Sequence, residues 1–164
     1  MQRVTVIGAG TMGLDIAQVF ASAGKNVTVV DISEVVLQKA AQRLEKGLAK
    51  RVERGKLAQA DKDALLSRIA FDTDRASAKD ADLVVEAIIE NIAIKKELFA
   101  ALDAICPAET IFATNTSSIS ITEIASATGR ADRFIGMHFF NPATVMKLIE
   151  LIRGMATSDA TFEA

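Results

Sequence analysis

Two groups of residues in this 164-residue chain could do chemistry, and both lie where an apolar run ends. The first centres on His138, the only histidine, which follows Phe134-Ile135-Gly136-Met137 and precedes Phe139-Phe140-Asn141-Pro142. Judged alone, a histidine beside two phenylalanines reads as a packed or surface residue. Glu150 changes that reading. It lies twelve residues on, inside Lys147-Leu148-Ile149-Glu150-Leu151-Ile152, where an unpaired buried acid would be costly. If the segment around Thr144 folds back, Glu150 comes opposite His138. A carboxylate beside an imidazole holds its tautomer and stabilises the imidazolium, as a general acid/base pair requires.

The second group is Gly8-Ala9-Gly10-Thr11-Met12-Gly13, with Asp31 eighteen residues after Gly13. A GxGxxG run alone is a weak signal. Here it follows the β-branched run Val4-Thr5-Val6-Ile7 and opens a helical pattern, and Asp31 ends the next β-branched run, which together make the dinucleotide fingerprint. In that reading Gly8 permits the turn, Gly10 lets backbone approach a pyrophosphate, and Gly13 lets helix and strand pack closely. The helix N-terminus adds amides and a positive dipole end. Asp31 can accept both ribose hydroxyls of an adenosine, whereas a 2′-phosphate would meet a like charge that neither Ile32 nor Ser33 offsets. The expected cofactor is NAD rather than NADP.

The elements that must hold these groups alternate along the chain. Met12, Ile16, Val19, Phe20 and Ala23 recur at helical spacing up to Gly24. Val27-Thr28-Val29-Val30 is a second strand, and Leu37, Ala40, Ala41, Leu44 and Leu48 mark a long helix from Ser33 to near Gly55. Residues 82–88, 110–113 and 133–137 read as further strands, with helices at about 92–105 and 121–128, and Leu148–Ile152 as a last strand. Near-continuous apolar strands joined by helices predict an α/β fold, a doubly wound, mostly parallel sheet covered on both faces. Thr157 to Ala164 offers a helix cap and one turn, from which we expect a fragment of something longer.

A net charge of -2 argues against a general nucleic-acid binder. The lone Cys106 cannot form an internal disulfide, and no Cys/His cluster is spaced to hold a metal. With no signal-like N-terminus and no long apolar run, the expectation is a cytoplasmic protein that binds no membrane.

Four segments occur in order: Gly8 to Gly13, Glu86-Ala87-Ile88-Ile89-Glu90-Asn91, Asn115-Thr116-Ser117-Ser118 and His138-Phe139-Phe140-Asn141-Pro142. Together they resemble the 3-hydroxyacyl-CoA dehydrogenase family, nearest its bacterial 3-hydroxybutyryl-CoA group, over essentially the whole chain. The resemblance implies a Rossmann-type NAD-binding domain. It implies that His138 is the catalytic base, oriented by Glu150, and that Ser117 hydrogen-bonds the substrate oxygen. Asn141 would lie near the nicotinamide, and Glu90 and Lys95 would line the nicotinamide ribose and substrate entrance. Without the ordered motifs, Ser117 would be a turn residue and Lys95 a solvated helix position. Family members continue into a helical domain that closes over acyl-CoA and forms a homodimer, so residues 1–164 would be the dinucleotide domain alone. A nucleotide-binding module without catalysis, or a dehydrogenase of free β-hydroxyacids using a lysine, are the competing readings.

The helix after Asp31 carries Lys39, Arg43, Lys46, Lys50 and Arg54 on one face. Residues 33–56 hold seven Lys/Arg against three Glu, a local +4. That is either a solvated face partly paired by Glu45 and Glu53 or, as the family implies, a surface whose distal end, Lys50, Arg54 and Lys56, attracts the phosphates of CoA.

Overall fold

The computed structural model describes residues 1–164. β1 (Arg3–Ile7), β2 (Asn26–Val30), β3 (Ile69–Asp72), β4 (Leu83–Glu86), β5 (Ile111–Thr114), β6 (Phe134–Phe139) and β7 (Ile149–Arg153) form one sheet in the order β3-β2-β1-β4-β5-β6-β7. All neighbours pair in parallel except β6 and β7, which are antiparallel. The chain winds outward from β1 to β3 on one side and from β4 to β7 on the other. A topological switch point therefore lies between β1 and β4, where ligands of such sheets bind beyond the strand carboxyl ends.

The strands alternate sides. Leu83 and Val85 join the layer under α1 (Thr11–Ser22), α2 (Glu34–Glu53) and α3 (Gln59–Leu66), while Val84 joins the layer under α4 (Ile92–Asp103) and α5 (Ile121–Ala125). The second layer is built on Phe99, Phe112 and Phe134, with Phe99 and Phe134 edge to face at 4.6 Å between centroids. A short α6 (Asp159–Glu163), capped by the Ser158 hydroxyl, completes the chain.

The sequence pattern misses β3 and α3. β3 has four residues and none fully buried, and α3 buries only Leu65, so neither carries a periodic apolar signal. The strand expected over 82–88 stops pairing at Glu86, because the Ile88 amide turns back onto the Glu86 carboxylate (2.7 Å). The helix expected over 121–128 ends at Ala125. β7 is an uncovered edge: all five of its residues are exposed.

Asp82 ties the first strand to the fourth. Its carboxylate accepts the amides of Gln2 (2.6 Å) and Arg3 (2.9 Å), and these bonds lower its pKa from 3.8 to about 2. A depressed carboxylate stabilises the fold above the unfolded value, and that contribution disappears as pH falls through the folded one. Asp82→Asn should lower the urea midpoint at pH 7 by the equivalent of less than about 1 kcal/mol, since the site is near solvent. The difference from the parent should close between pH 3.8 and about 2; a gap independent of pH would rule this carboxylate out as the cause.

Candidate active site

The glycine turn joins β1 to α1 with no room for side chains at two positions. Gly8 has φ +104°, and a Cβ there would lie 2.7 Å from the Ala87 carbonyl oxygen. A Cβ at Gly13 would lie 1.8 Å from the Gly8 oxygen, so only glycine allows α1 to approach β1 this closely. Gly10 is different: a Cβ there meets nothing within 4 Å. The space above it is open, as backbone approached by a pyrophosphate requires. The amides of Thr11, Met12 and Gly13 have no side-chain cap and donate to no carbonyl, leaving the positive end of α1 available. Ala9 is buried and Met12 packs on the core, so these two present backbone rather than side chains.

Asp31, at the end of β2, is aimed at this turn. One carboxylate oxygen accepts the Ala9 amide (2.9 Å) and the other the Ser33 amide (3.0 Å). Residual acceptor capacity remains for ribose hydroxyls. Arg43 reaches in from α2 to the Thr11 hydroxyl (3.1 Å) and the Gly10 carbonyl (3.2 Å). The middle of the basic stripe is thus tethered to the glycine turn. Lys50, Arg54 and Lys56 are exposed, and no carboxylate lies within 4.0 Å of them, so the pairing expected from Glu45 and Glu53 is not found.

On the other side of the switch point, the antiparallel register sets His138 directly opposite Glu150. His138 Nδ1 is 2.8 Å from Glu150 Oε2, and Nε2 is 3.1 Å from the Ser117 hydroxyl. With Nδ1–H donating to the carboxylate, Nε2 is left as an acceptor. The end of β6 is held by the Phe139 amide, which donates to Asn115 Oδ1 (2.9 Å). Phe140 packs on the imidazole at 4.8 Å between centroids. The expectation that Glu150 is buried fails: its side chain is 52% exposed, because it stands on an edge strand whose five residues all remain exposed. Asn141 is exposed beside this cluster, joined to Pro142 through a cis peptide bond.

A third cluster lies between these two. Lys95 on α4 is fully buried, which rules out a solvated helix position. Its ammonium meets both oxygens of the fully buried Glu86 (2.7 and 2.9 Å) and Glu90 Oε2 (3.1 Å). Glu86 also accepts the Thr114 hydroxyl (2.6 Å). Glu90 accepts the Thr116 hydroxyl and the Ser117 amide. Burial alone would raise the Glu90 pKa, but the Thr116 hydrogen bond and the Lys95 ammonium outweigh it and hold the carboxyl below its ordinary value. No group of three or more His, Cys, Asp or Glu converges as a metal site, and no helix is long and apolar enough to cross a membrane.

A family described as "3-hydroxyacyl-CoA dehydrogenase, NAD binding domain" matches residues 3–164. The chain belongs to this family. The dehydrogenase fold and the NAD-binding function of the domain follow from that membership, and the glycine turn and Asp31 fit the cofactor. The chain is 48% identical to the 3-hydroxybutyryl-CoA dehydrogenase of Clostridioides difficile, over 98% of the chain and 57% of that protein. It is 50% identical to the human mitochondrial hydroxyacyl-coenzyme A dehydrogenase, over 100% of the chain and 54% of that protein. The crystal structure of 3-hydroxybutyryl-CoA dehydrogenase from Escherichia coli K12 superposes with a TM-score of 0.97 at 47% identity, covering 99% of this chain and 34% of that one. The chain thus spans little more than half the length of these curated relatives.

Within this dehydrogenase domain, sequence reasoning assigned Glu86, Thr114, Thr116 and Arg43 no partners of their own. Glu86 had a signal: an acid closing the apolar run Leu83-Val84-Val85 poses the same burial problem as Glu150 and calls for a cation nearby. Arg43 had none, since its hydrogen bonds depend on how α2 leans on α1. The glycine geometry separates packing from binding. Gly13→Ala should cost at least about 2 kcal/mol in urea unfolding, because backbone must move. Gly10→Ala should leave stability within about 0.5 kcal/mol yet weaken NADH binding at least about tenfold. Unchanged NADH affinity in Gly10→Ala would remove the pyrophosphate from this turn.

Proposed function

We propose that this chain supplies the cofactor-binding and acid/base residues of an NAD-dependent dehydrogenase interconverting 3-hydroxyacyl-CoA and 3-oxoacyl-CoA, with 3-hydroxybutyryl-CoA and acetoacetyl-CoA as the pair. The observation that carries the proposal is the hydrogen-bonded series Ser117, His138, Glu150 beside an NAD-binding turn. The names of the relatives support the substrate class.

The nicotinamide, when bound, supplies the hydride acceptor or donor. The chain's own residues handle the proton and the oxygen. In oxidation, the bare Nε2 of His138 takes the proton from the 3-hydroxyl as the C3 hydride leaves, and the C–O bond becomes a carbonyl. Glu150 stabilises the resulting imidazolium through Nδ1–H. Ser117 already donates toward the same nitrogen and can turn its hydroxyl to the substrate oxygen once that oxygen takes its place. In reduction the imidazolium returns the proton to the nascent alkoxide. A lysine-based mechanism for free hydroxyacids finds no support at Lys95, whose ammonium is engaged by Glu86 and Glu90. A binding-only module has no use for a carboxylate-oriented histidine. Asp31 favours NADH over NADPH by like-charge repulsion.

The test is NADH oxidation with acetoacetyl-CoA, by the chain itself and by a longer protein carrying it with the region its relatives possess. His138→Gln should lower kcat at least about a hundredfold while leaving the NADH Kd within about twofold. An unimpaired rate would return His138 to a packing role. The basic stripe gives a separate expectation. Replacing Lys50, Arg54 and Lys56 by Gln should raise KM for acetoacetyl-CoA at low ionic strength, with the difference shrinking as salt is added and kcat nearly constant. A KM that does not move would leave the stripe a solvated face.

A further inference from the structure

We propose that Glu86, through the net charge of the buried Glu86, Lys95 and Glu90 cluster, sets the balance of this domain between the oxidised and reduced forms of its cofactor. The proposal rests on the reading that hydride transfer occurs beside Ser117 and His138.

The charges follow from the hydrogen bonds. Both oxygens of Glu86 only accept: Oε1 from the Ile88 amide and Lys95, Oε2 from the Thr114 hydroxyl and Lys95. No proton is left for the carboxyl to carry. The three donors of the Lys95 ammonium are all directed at carboxylate oxygens, two of Glu86 and one of Glu90. Glu90 is held ionised by Thr116 and Lys95. Two carboxylates and one ammonium leave the cluster at -1. Glu86 and Lys95 have no exposed surface, so solvent and salt screen each of these two charges little, while the 41% exposed Glu90 is screened more.

The position follows from connectivity. Glu86 pairs with Ile7 at the switch point, at the strand ends where the cofactor must cross the sheet. Glu90 accepts the amide of Ser117, whose hydroxyl lies 3.1 Å from the nitrogen that handles the substrate proton. The carbon giving up hydride and the nicotinamide receiving it must therefore stand close to this cluster. The oxidised nicotinamide ring carries a positive charge and the reduced ring is neutral. A fixed net charge of -1 attracts the first and leaves the second nearly unaffected, so the cluster strengthens NAD+ binding relative to NADH.

The positioning role and the charge role are separable. Glu86→Gln keeps the shape and makes the cluster neutral, so the ratio Kd(NAD+)/Kd(NADH) should rise about three- to tenfold. The double variant Glu86→Gln with Lys95→Met leaves Glu90 as the only charge and restores -1, so the ratio should return to within about twofold of the parent even if both affinities fall. A change that weakens the binding of both cofactor forms equally cancels in the ratio. The chain has no Trp and no Tyr, so bound NADH can be followed by its own fluorescence, and NAD+ by displacement of NADH or by calorimetry. Should Glu86→Gln fail to fold, Glu90→Gln makes the same change of charge nearer the surface and should move the ratio in the same direction. If both forms bind but neither single variant moves the ratio, or if the double variant stays shifted with Glu86→Gln, the charge proposal is overturned while the cofactor reading stands. Failure of the parent chain to bind either form would overturn both.

Discussion

An ammonium with no access to water must be matched by carboxylates held in fixed places, and Lys95 imposes that condition on this domain. Its partner Glu86 sits at the last paired residue of β4, so the strand ends where the ion pair begins. The remaining acceptor positions of Glu86 then fix its surroundings: the Ile88 amide starts the turn toward α4, and the Thr114 hydroxyl ties in the end of β5. Through Glu90 the same ammonium reaches Thr116 and the Ser117 amide. Three consecutive features of the site, the end of β4, the start of α4 and the turn after β5, are therefore determined together. Removing Lys95 would leave the fully buried Glu86 carboxylate uncompensated beside Glu90, so the ammonium is the member the cluster cannot lose.

The His138–Glu150 hydrogen bond depends on a departure from the parallel pattern. A parallel crossover needs a dozen or more residues and usually a helix, which would carry the next strand's residues well away from His138. Here the chain reverses within residues 140–148 and returns antiparallel, so residues twelve apart become cross-strand partners. One register then places Glu150 against Nδ1; a slip by one residue would turn Glu150 to the opposite face of the sheet. The specificity of the pairing rests on that edge strand, while Ser117 comes from the turn after β5 held by the Lys95 cluster. Two independent devices meet at one imidazole.

What could be read from the sequence were the features in which residue type and spacing carry the physics. Gly8 and Gly13 are sterically required, Asp31 closes a β-branched run at the expected distance, and Glu150 is an acid in an apolar run that needs a partner. Glu150 does meet His138, yet its side chain stays half in water. An edge strand can be apolar in sequence and still be exposed, because apolarity does not reveal whether a covering layer exists. For Lys95 it is the alternative of a solvated position that falls: a lysine on a helix normally stands in water, but Glu86 nine residues earlier and Glu90 accept its ammonium and make burial possible. β3 and α3 were illegible because their residues are half-buried or exposed and lack a repeat.

The contrast between the two carboxylate sites has a chemical consequence. Glu86 acts on its cation without solvent, whereas Glu150 acts on His138 with 52% of its side chain in water. Coulombic support for an imidazolium at a given distance falls several-fold between a protein-like and a water-like dielectric. The hydrogen bond orients His138, while the half-exposed carboxylate of Glu150 gives an imidazolium there weaker Coulombic support than a buried one would. The strand that carries Glu150 is the one left bare, with Ile149, Leu151 and Ile152 exposed at 41%, 42% and 37% beside it. Side chains alternate between the two faces of the strand, so Ile152 shares the face of Glu150 while Ile149 and Leu151 occupy the other. An apolar surface laid over the Ile152 face removes water from the Glu150 carboxylate in the same event, and strengthens its hold on an imidazolium at His138.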